Sequence, residues 1–412
     1  MITKLSIRNF KSIKELDIDC ARVNLFIGEP NTGKSNILEA LGMLSWCGCN
    51  GVSLNDFVRF QYTSNLFYDN LTNQIVDVNI TTENISINID LGVEPGSNVY
   101  TVYSGQHIIA EQERDKLFTV ELSQQTDLNS EKIEEVLKEL RRRGVVLNQS
   151  IILLEKSDRE WLILDQRVIY SIRERDNFLD VYNYAGNSSA GHSSILDKFG
   201  KTDDKGIQPN LKFIKFIKFY RYKQLEGDKF PDKSLSTLVY PYGSNMLNLI
   251  STTEKHRETI ASFFRDFGLK PSIRPHEDSI EFEKEAKNVN INYPYLLASD
   301  TLRRMIFYNI AIDSNKDSTL VFEEPEVHAF PAYIKRFGEK IAFDESNQYF
   351  IVTHNPYLFL SILEKTKKDE ANVFIVYSKD YQTKVKRAND KEISKLMYDP
   401  FFNIPSLLRG EK

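Results

Sequence analysis

The stretch Gly28-Glu29-Pro30-Asn31-Thr32-Gly33-Lys34-Ser35 matches the pattern G-x-x-x-x-G-K-[ST] of a phosphate-binding loop. The apolar run Val23–Ile27 precedes it and predicts a buried strand, and residues 36–41 follow with apolar side chains at helical spacing. An ordinary glycine-containing turn before a helix is the alternative. Because strand, glycine loop and helix are the setting that a phosphate-binding loop requires, we favour the loop.

The chemistry of such a loop favours a nucleoside triphosphate, because backbone N–H groups and the positive end of the helix dipole attract phosphate. Lys34 can reach the β- and γ-phosphates, and the hydroxyl of Ser35 can bind Mg²⁺. Asn315-Lys316-Asp317 lacks the spacing of the guanine-reading motif N-K-x-D, so adenine is the expected base. We therefore expect ATP and Mg²⁺ as cofactors, with nucleotide contacts from Gly28, Glu29, Pro30, Asn31, Thr32, Gly33, Lys34, Ser35 and Asn36.

Length and composition restrict the class of protein. A chain of 412 residues exceeds one compact core, which predicts two lobes or a core with a large insertion. The net charge of −5 argues against a globally basic nucleic-acid binder, although a local basic groove is compatible with it. Residues 1–7 alternate like a strand rather than a signal peptide, and no apolar run approaches the ~18 residues of a membrane span. We expect a cytoplasmic protein with no membrane contact.

A strand far downstream ends in two carboxylates. The segment Thr319-Leu320-Val321-Phe322-Glu323-Glu324-Pro325-Glu326 places four strand-like residues before an acid pair, as in a Walker B strand. At the carboxyl end of such a strand, one carboxylate can hold the Mg²⁺ shell while the next polarises the attacking water. We assign Glu323 to Mg²⁺, where Asp is commoner, and Glu324 to the general base. A solvated acidic turn is the alternative.

A second buried strand is predicted by Gln348-Tyr349-Phe350-Ile351-Val352-Thr353-His354, followed by Asn355-Pro356. A histidine at the carboxyl end of a strand beside Walker B can contact the γ-phosphate or the attacking water. A purely structural histidine is the alternative. We therefore place His354 with Glu324 and Lys34 among the catalytic residues.

Together these motifs resemble the ABC-type ATPases of the SMC/RecF group and, within it, the OLD-like (overcoming-lysogenization-defect) ATPases. The resemblance is carried by Leu5-x-Ile7-x-Asn9-Phe10-Lys11-Ser12, the phosphate-binding loop, Glu323-Glu324-Pro325-Glu326-Val327-His328-Ala329-Phe330-Pro331 and Thr353-His354-Asn355-Pro356. It covers both ends of the chain and only loosely the middle. It implies that Glu324 is the catalytic base, that His354 is the switch histidine, and that Lys11 and Ser12 lie near the nucleotide.

The resemblance also implies a signature motif that reaches the γ-phosphate across an ATP-sandwiched homodimer or higher oligomer. The best match is Ala298-Ser299-Asp300-Thr301-Leu302-Arg303-Arg304, where Ser299 and a helix N-terminus suit an anion. The glycine usual after the Ser-Asp pair is missing, and a plain N-capped helix is the alternative.

By the same resemblance the fold is α/β: a P-loop NTPase head of the ABC/SMC-RecF type, interrupted by a β-rich and helical insertion. We expect residues 1–63 to form the N-terminal part of the head and 64–290 the insertion and second lobe. Residues 291–412 would complete the head with the signature, Walker B and switch histidine. Short helices, such as one predicted at 130–143, replace the long heptad arms of SMC proteins. The residues after His354 are too few for the toprim nuclease domain of OLD nucleases.

The sequence therefore indicates an ATP-hydrolysing, nucleotide-controlled oligomeric switch. Resemblance to OLD-like ATPases implies bacterial anti-phage defence with a separate effector, such as a nuclease or toxin. Two alternatives stay open: a RecF-like DNA-repair or chromosome-maintenance ATPase that binds DNA directly, and a scaffold or sensor that hydrolyses ATP slowly.

Overall fold

The computed structural model describes residues 1–49, 52–83, 85–93, 214–234, 236–287 and 289–409, together with the backbone of six strands between 100 and 196. The helix predicted at 130–143 lies outside the described residues. Within the described part of the chain, no helix is long and apolar enough to cross a membrane.

The described strands are β1 (Ile2–Phe10), β2 (Ile13–Asp19), β3 (Val23–Ile27), β4 (Val76–Thr82), β5 (Ile85–Val93), β6 (Tyr100–Ile108), β7 (Ile151–Ser157), β8 (Glu160–Asp165), β9 (Val168–Arg175), β10 (Phe178–Tyr184), β11 (Gly191–Leu196), β12 (Ile217–Tyr220), β13 (Lys270–Arg274), β14 (Ser279–Ala286), β15 (Val289–Pro294), β16 (Thr319–Glu323), β17 (Gln348–Val352), β18 (Ala371–Lys379) and β19 (Gln382–Arg387). The described helices are α1 (Lys34–Cys47), α2 (Met246–Thr252), α3 (Glu254–Phe264), α4 (Asp300–Asp313), α5 (Pro331–Phe343), α6 (Pro356–Leu363), α7 (Asp390–Tyr398) and α8 (Ile404–Leu407).

The central sheet is six-stranded, in the order β12-β16-β17-β3-β18-β19. Its first five strands are parallel, and β19 returns antiparallel to β18. Strands β3 and β17 are buried along their whole length, as expected of parallel strands covered on both faces. Since β3 precedes the phosphate-binding loop and β16 and β17 precede the acidic and histidine segments, all three segments emerge at one edge of this sheet. The fold is that of an α/β P-loop NTPase, as the sequence predicts.

Two apolar cores cover the two faces of the central sheet. Leu25 of β3 packs into a core shared with helices that include α4 and α6, whereas its neighbour Phe26 packs into a core shared with α1 and β1. Phe26 also stacks against Phe374 of β18, with ring centroids 5.1 Å apart. The buried amide of Gln348 accepts a 2.8 Å hydrogen bond from the Ile2 N–H and donates to its carbonyl, which attaches the first strand to β17.

The second large sheet is antiparallel, in the order β11-β6-β5-β4-β1-β2. It combines two strands from the first 63 residues with four strands from the range 64–290. Strand β12, from the same range, lies at the edge of the central sheet. The division at residues 63 and 290 stays a prediction, but strands from the middle range complete both large sheets in addition to forming smaller sheets of their own. Strands β7–β10 and β13–β15 form two smaller antiparallel sheets.

Candidate nucleotide-binding site

The loop 28–35 connects β3 to α1, which begins at Lys34. Gly33 has φ +89°, and a Cβ there would lie 1.9 Å from Thr383 Oγ1 and 2.7 Å from Ser12 Oγ. A Cβ on Gly28 would lie 2.1 Å from the carbonyl oxygen of Val376. Both positions of the motif therefore require glycine, because a side chain would push the loop away from β18 and β19.

One cleft of about 550 Å³ brings the two ends of the chain together. On one side it is lined by residues 30–36 of the phosphate-binding loop and α1, and on another by Glu324 and His354. The remaining lining residues are Ser12, Arg59, Ser378, Tyr381 and Thr383. Its volume falls in the range of small-molecule sites, and its lining combines backbone amides, a lysine, hydroxyls and a carboxylate.

Lys34 is buried at the floor of this cleft. Its Nζ donates to the carbonyl oxygens of Gly28 at 3.0 Å and Glu29 at 2.6 Å, so the amine is folded along the loop. Burial lowers the pKa of Lys34 to about 8, against the opposing effects of Glu324 and Glu29. Among the described residues Lys34 forms no ion pair with a carboxylate, so its ammonium is available to an anion that enters the cleft.

Glu324 and His354 face each other across the strand ends, with Glu324 Oε1 3.3 Å from His354 Nε2. Glu324 follows β16 with a positive φ of 44°, and its N–H donates to the Val352 carbonyl at 3.0 Å. Burial and the nearby Lys34 lower the pKa of His354 below its usual range, although Glu324 opposes the shift. At neutral pH the ring is uncharged and can donate one hydrogen bond to the partly exposed carboxylate of Glu324.

A third carboxylate, Glu326, supports the segment that carries His354. It is buried, and its Oε1 accepts from the Thr353 hydroxyl at 2.6 Å and from the His354 N–H at 3.0 Å. Burial raises the pKa of Glu326 to about 7. Glu326 thus ties the segment after β16 to the end of β17. The signal for it in the sequence is its place as the third acid of the 323–326 segment, but no motif there distinguishes its supporting role.

Glu323, predicted to bind Mg²⁺, points into a network of arginines. Its Oε1 accepts from Arg59 Nη2 at 2.7 Å and its Oε2 from Arg221 Nη2 at 2.9 Å. Arg59 also bonds the buried carboxylate of Glu39 through its Nε at 2.7 Å. The role of Glu323 as a metal ligand stays a prediction. It requires one of the two arginine hydrogen bonds to break so that the freed carboxylate oxygen can bind the cation.

The remaining donors suit Mg²⁺, which is usually bound through one or two carboxylates with substrate phosphates and water. Ser35 and Glu324 both line the cleft beside Lys34. Among the described residues, no group of three or more His, Cys, Asp or Glu side chains could hold a metal by itself. A cation here would therefore arrive together with the phosphates.

A family model described as "AAA ATPase domain" matches residues 1–359. The chain belongs to this family. Two similar curated proteins are both named "DNA replication and repair protein RecF". The protein from Lactobacillus acidophilus is 24% identical over 326 residues, which cover 75% of this chain and 78% of the relative. The protein from Clostridium beijerinckii is 22% identical over 329 residues, covering 74% and 85% respectively.

Solved structures of Smc head domains are also similar to this ATPase. One, bound to the C-winged helix domain of ScpA, is 15% identical with a TM-score of 0.45, covering 96% of this chain and 99% of its own. Another, with an extended coiled coil and derived from Pyrococcus furiosus, is 13% identical with a TM-score of 0.44, covering 97% and 99%. By its family model and its similarity to the two RecF proteins, the ATPase is of the SMC/RecF type, and the finer assignment to the OLD-like group remains a hypothesis.

Two further predicted residues of the ATPase lie at the turn between β1 and β2. Ser12 lines the cleft, accepts from Asn36 Nδ2 at 2.6 Å and contacts Thr383 Oγ1 at 2.6 Å. Lys11 instead pairs with the buried carboxylate of Glu39 and is absent from the cleft lining. The structure therefore places Ser12 in the lining of the cleft and Lys11 in the charged network of Glu39, and a nucleotide contact from either residue stays a prediction.

Ser299 lies outside this cleft, at the exposed N-terminus of α4. Its side chain accepts a 3.4 Å hydrogen bond from the Leu302 N–H and so caps the helix. The hydroxyl of Thr301, the second residue of the helix, donates to the His328 carbonyl in the segment after Walker B. A contact between Ser299 and a nucleotide would thus have to involve a second chain, and it stays a prediction.

Proposed function

We propose that this ATPase is a nucleotide-controlled oligomeric switch, in which two chains close around ATP and hydrolysis reopens them. The observation that carries the proposal is the shared cleft of Lys34, Ser35, Glu324 and His354. A phosphate-binding amine, a hydroxyl for the metal and a partly exposed carboxylate are the groups that phosphoryl transfer to water needs.

In the proposed reaction, Lys34 and the loop amides hold the β- and γ-phosphates while Glu324 orients a water molecule. As the water oxygen bonds to the γ-phosphorus, the carboxylate of Glu324 accepts its proton, and the bond to the β–γ bridging oxygen breaks to release ADP. His354, 3.3 Å from Glu324, keeps the carboxylate oriented. Bound through Ser35 and a carboxylate, Mg²⁺ would neutralise charge on the β- and γ-phosphates.

Assembly provides the first test, because Ser299 is exposed and away from the cleft of its own chain. We expect ATP to convert monomers to dimers or larger assemblies, and Ser299→Arg to prevent this by placing a bulky cation at the predicted interface. Light scattering with and without a non-hydrolysable ATP analogue would measure the mass. ATP binding by the Ser299→Arg variant should stay within about twofold, since surface substitutions rarely disturb a remote site.

The matched control is Ser394→Arg, an equally exposed serine on α7. This variant should assemble as the unmodified protein does. If the measured mass does not change with nucleotide, or if the Ser299→Arg variant still assembles with ATP, the proposed switch is contradicted.

The biological setting has two candidates. Resemblance of the motifs to OLD-like ATPases supports cytoplasmic anti-phage defence with a separate effector, such as a nuclease or toxin. Similarity to the two proteins named RecF supports a second candidate, in which the ATPase contacts DNA itself.

DNA binding separates these candidates. We expect little ATP-stimulated binding to duplex DNA, because a net charge of −5 opposes association with a polyanion. Binding should be measured by fluorescence anisotropy at about 50 mM and about 200 mM salt, a range over which phosphate contacts lose about 10³–10⁵ in affinity. Tight, ATP-dependent binding that falls steeply with salt would favour the RecF-like candidate over defence.

A further inference from the structure

The turn between β18 and β19 places an aromatic residue beside the cleft. Lys379 pairs with Gln382, so Asp380 and Tyr381 form a two-residue turn, with φ of 51° and 61°. Such turns favour glycine at the second position, because a side chain there is strained. Tyr381 is 93% exposed, so its ring adds little packing in return. The turn itself therefore gives no reason for tyrosine at this position.

The hairpin is fixed to the phosphate-binding loop by Thr383, the second residue of β19. Thr383 Oγ1 donates to the Thr32 carbonyl at 3.0 Å, and the Thr383 N–H donates to the Ser12 carbonyl at 2.8 Å. Among the described residues that line the cleft, Tyr381 is the one aromatic side chain. Its position relative to the loop is thus set by a buried, hydrogen-bonded neighbour.

The strand order of the central sheet indicates how a nucleotide would be oriented in the cleft. In the sequence β16-β17-β3-β18-β19, Glu324 and His354 follow β16 and β17 on one side of the loop, while Tyr381 lies beyond β18 on the other. The γ-phosphate must lie toward Glu324, where the water is activated. The base and ribose must then extend toward the hairpin.

We propose that Tyr381 is the platform on which the nucleotide base stacks. Stacking on an aromatic ring depends on the π-face that every base carries, so it contributes affinity without reading the hydrogen-bonding edge of the base. The inference rests on the proposed nucleotide site and adds the residue that holds the base end. Base affinity at this site comes from a single exposed ring, and it is separable from phosphate affinity.

The test compares ATP with inorganic tripolyphosphate, which has the phosphates without the base. Tyr381→Gly suits the turn, so its melting temperature should equal or exceed that of the unmodified protein. We expect its Kd for ATP to rise roughly tenfold, within the range of base–aromatic stacking. Its Kd for tripolyphosphate should be unchanged. Tyr381→Phe should retain ATP affinity, and Tyr398→Ala, which removes a ring also 93% exposed but on α7, should match the unmodified protein.

Equal ATP affinity in Tyr381→Gly and the unmodified protein would overturn the inference and leave the proposed function standing. Equal weakening of ATP and tripolyphosphate would also overturn it, because the ring would then act through the loop. ATP binding that depends on Tyr381 but leads to no hydrolysis or assembly would instead contradict the proposed function alone. If the unmodified protein binds neither ATP nor tripolyphosphate, both the proposed function and the inference about Tyr381 are contradicted.

Discussion

Replacing Glu324 with glutamine is expected to lower the rate of ATP hydrolysis by about a hundredfold or more, the usual contribution of a general base. The amide has nearly the same shape as the carboxylate but cannot accept a proton from water. Its oxygen can still receive a hydrogen bond from His354, which lies 3.3 Å from Glu324. ATP should therefore bind as before, and the ATP-bound oligomer should accumulate.

The rate of hydrolysis is measured by phosphate release and the ATP affinity by nucleotide titration. Light scattering measures the mass of the oligomer. Glu345→Gln is the matched control, since Glu345 is a 75% exposed carboxylate whose ion pairing, within the described part of the chain, is limited to a 3.4 Å surface pair with Lys367. It should hydrolyse ATP at the normal rate. Unchanged turnover in Glu324→Gln would show that Glu324 is not the general base, and the cleft would then have no assigned base.

The positions of the proposed catalytic groups could be predicted because each follows a short apolar run. A continuous run such as 348–352 has to be buried on both faces, and the polar residues after it then lie at the sheet edge where ligands bind. Lys34, Glu324 and His354 each follow such a strand, and the structure brings all three into one cleft. Local pattern and the general rule for parallel sheets were sufficient here.

Other features depend on pairings that no local pattern reveals. Arg59 reaches Glu323 across 264 residues of chain, and Thr383 contacts Ser12 across 371. Neither Arg59 nor Thr383 lies next to a recognisable motif. The alternation of β4 and β5 predicts strands, but any antiparallel neighbour would satisfy it. Their pairing beside β1, rather than in a separate insertion, is decided by the assembled core.

Replacing Lys34 with alanine is expected to weaken ATP binding about a hundredfold, because hydrogen bonds to charged groups contribute about 1.5–3 kcal/mol each. Hydrolysis should fall at least as far, since the amine also stabilises the charge on the γ-phosphate. Lys335→Ala, which removes an exposed lysine from α5, is the control and should bind ATP normally. The fold should survive in Lys34→Ala, because the hydrogen bonds of the amine to the described residues go to two loop carbonyls.

The pH dependence of binding distinguishes a charged Lys34 from one that merely fills space. Its pKa is lowered to about 8 by burial, and the proposed contact with the phosphates requires the ammonium form. Affinity should therefore be constant below pH 8 and decline above it, because the free protein must then take up a proton to bind. At pH 9, one unit above this pKa, the loss should be about tenfold. Lys34→Arg stays protonated throughout this range, so any affinity it retains should show no decline. A flat profile between pH 7.5 and 9.5 in the unmodified protein, measured by titration calorimetry, would contradict a direct contact between this amine and the phosphates.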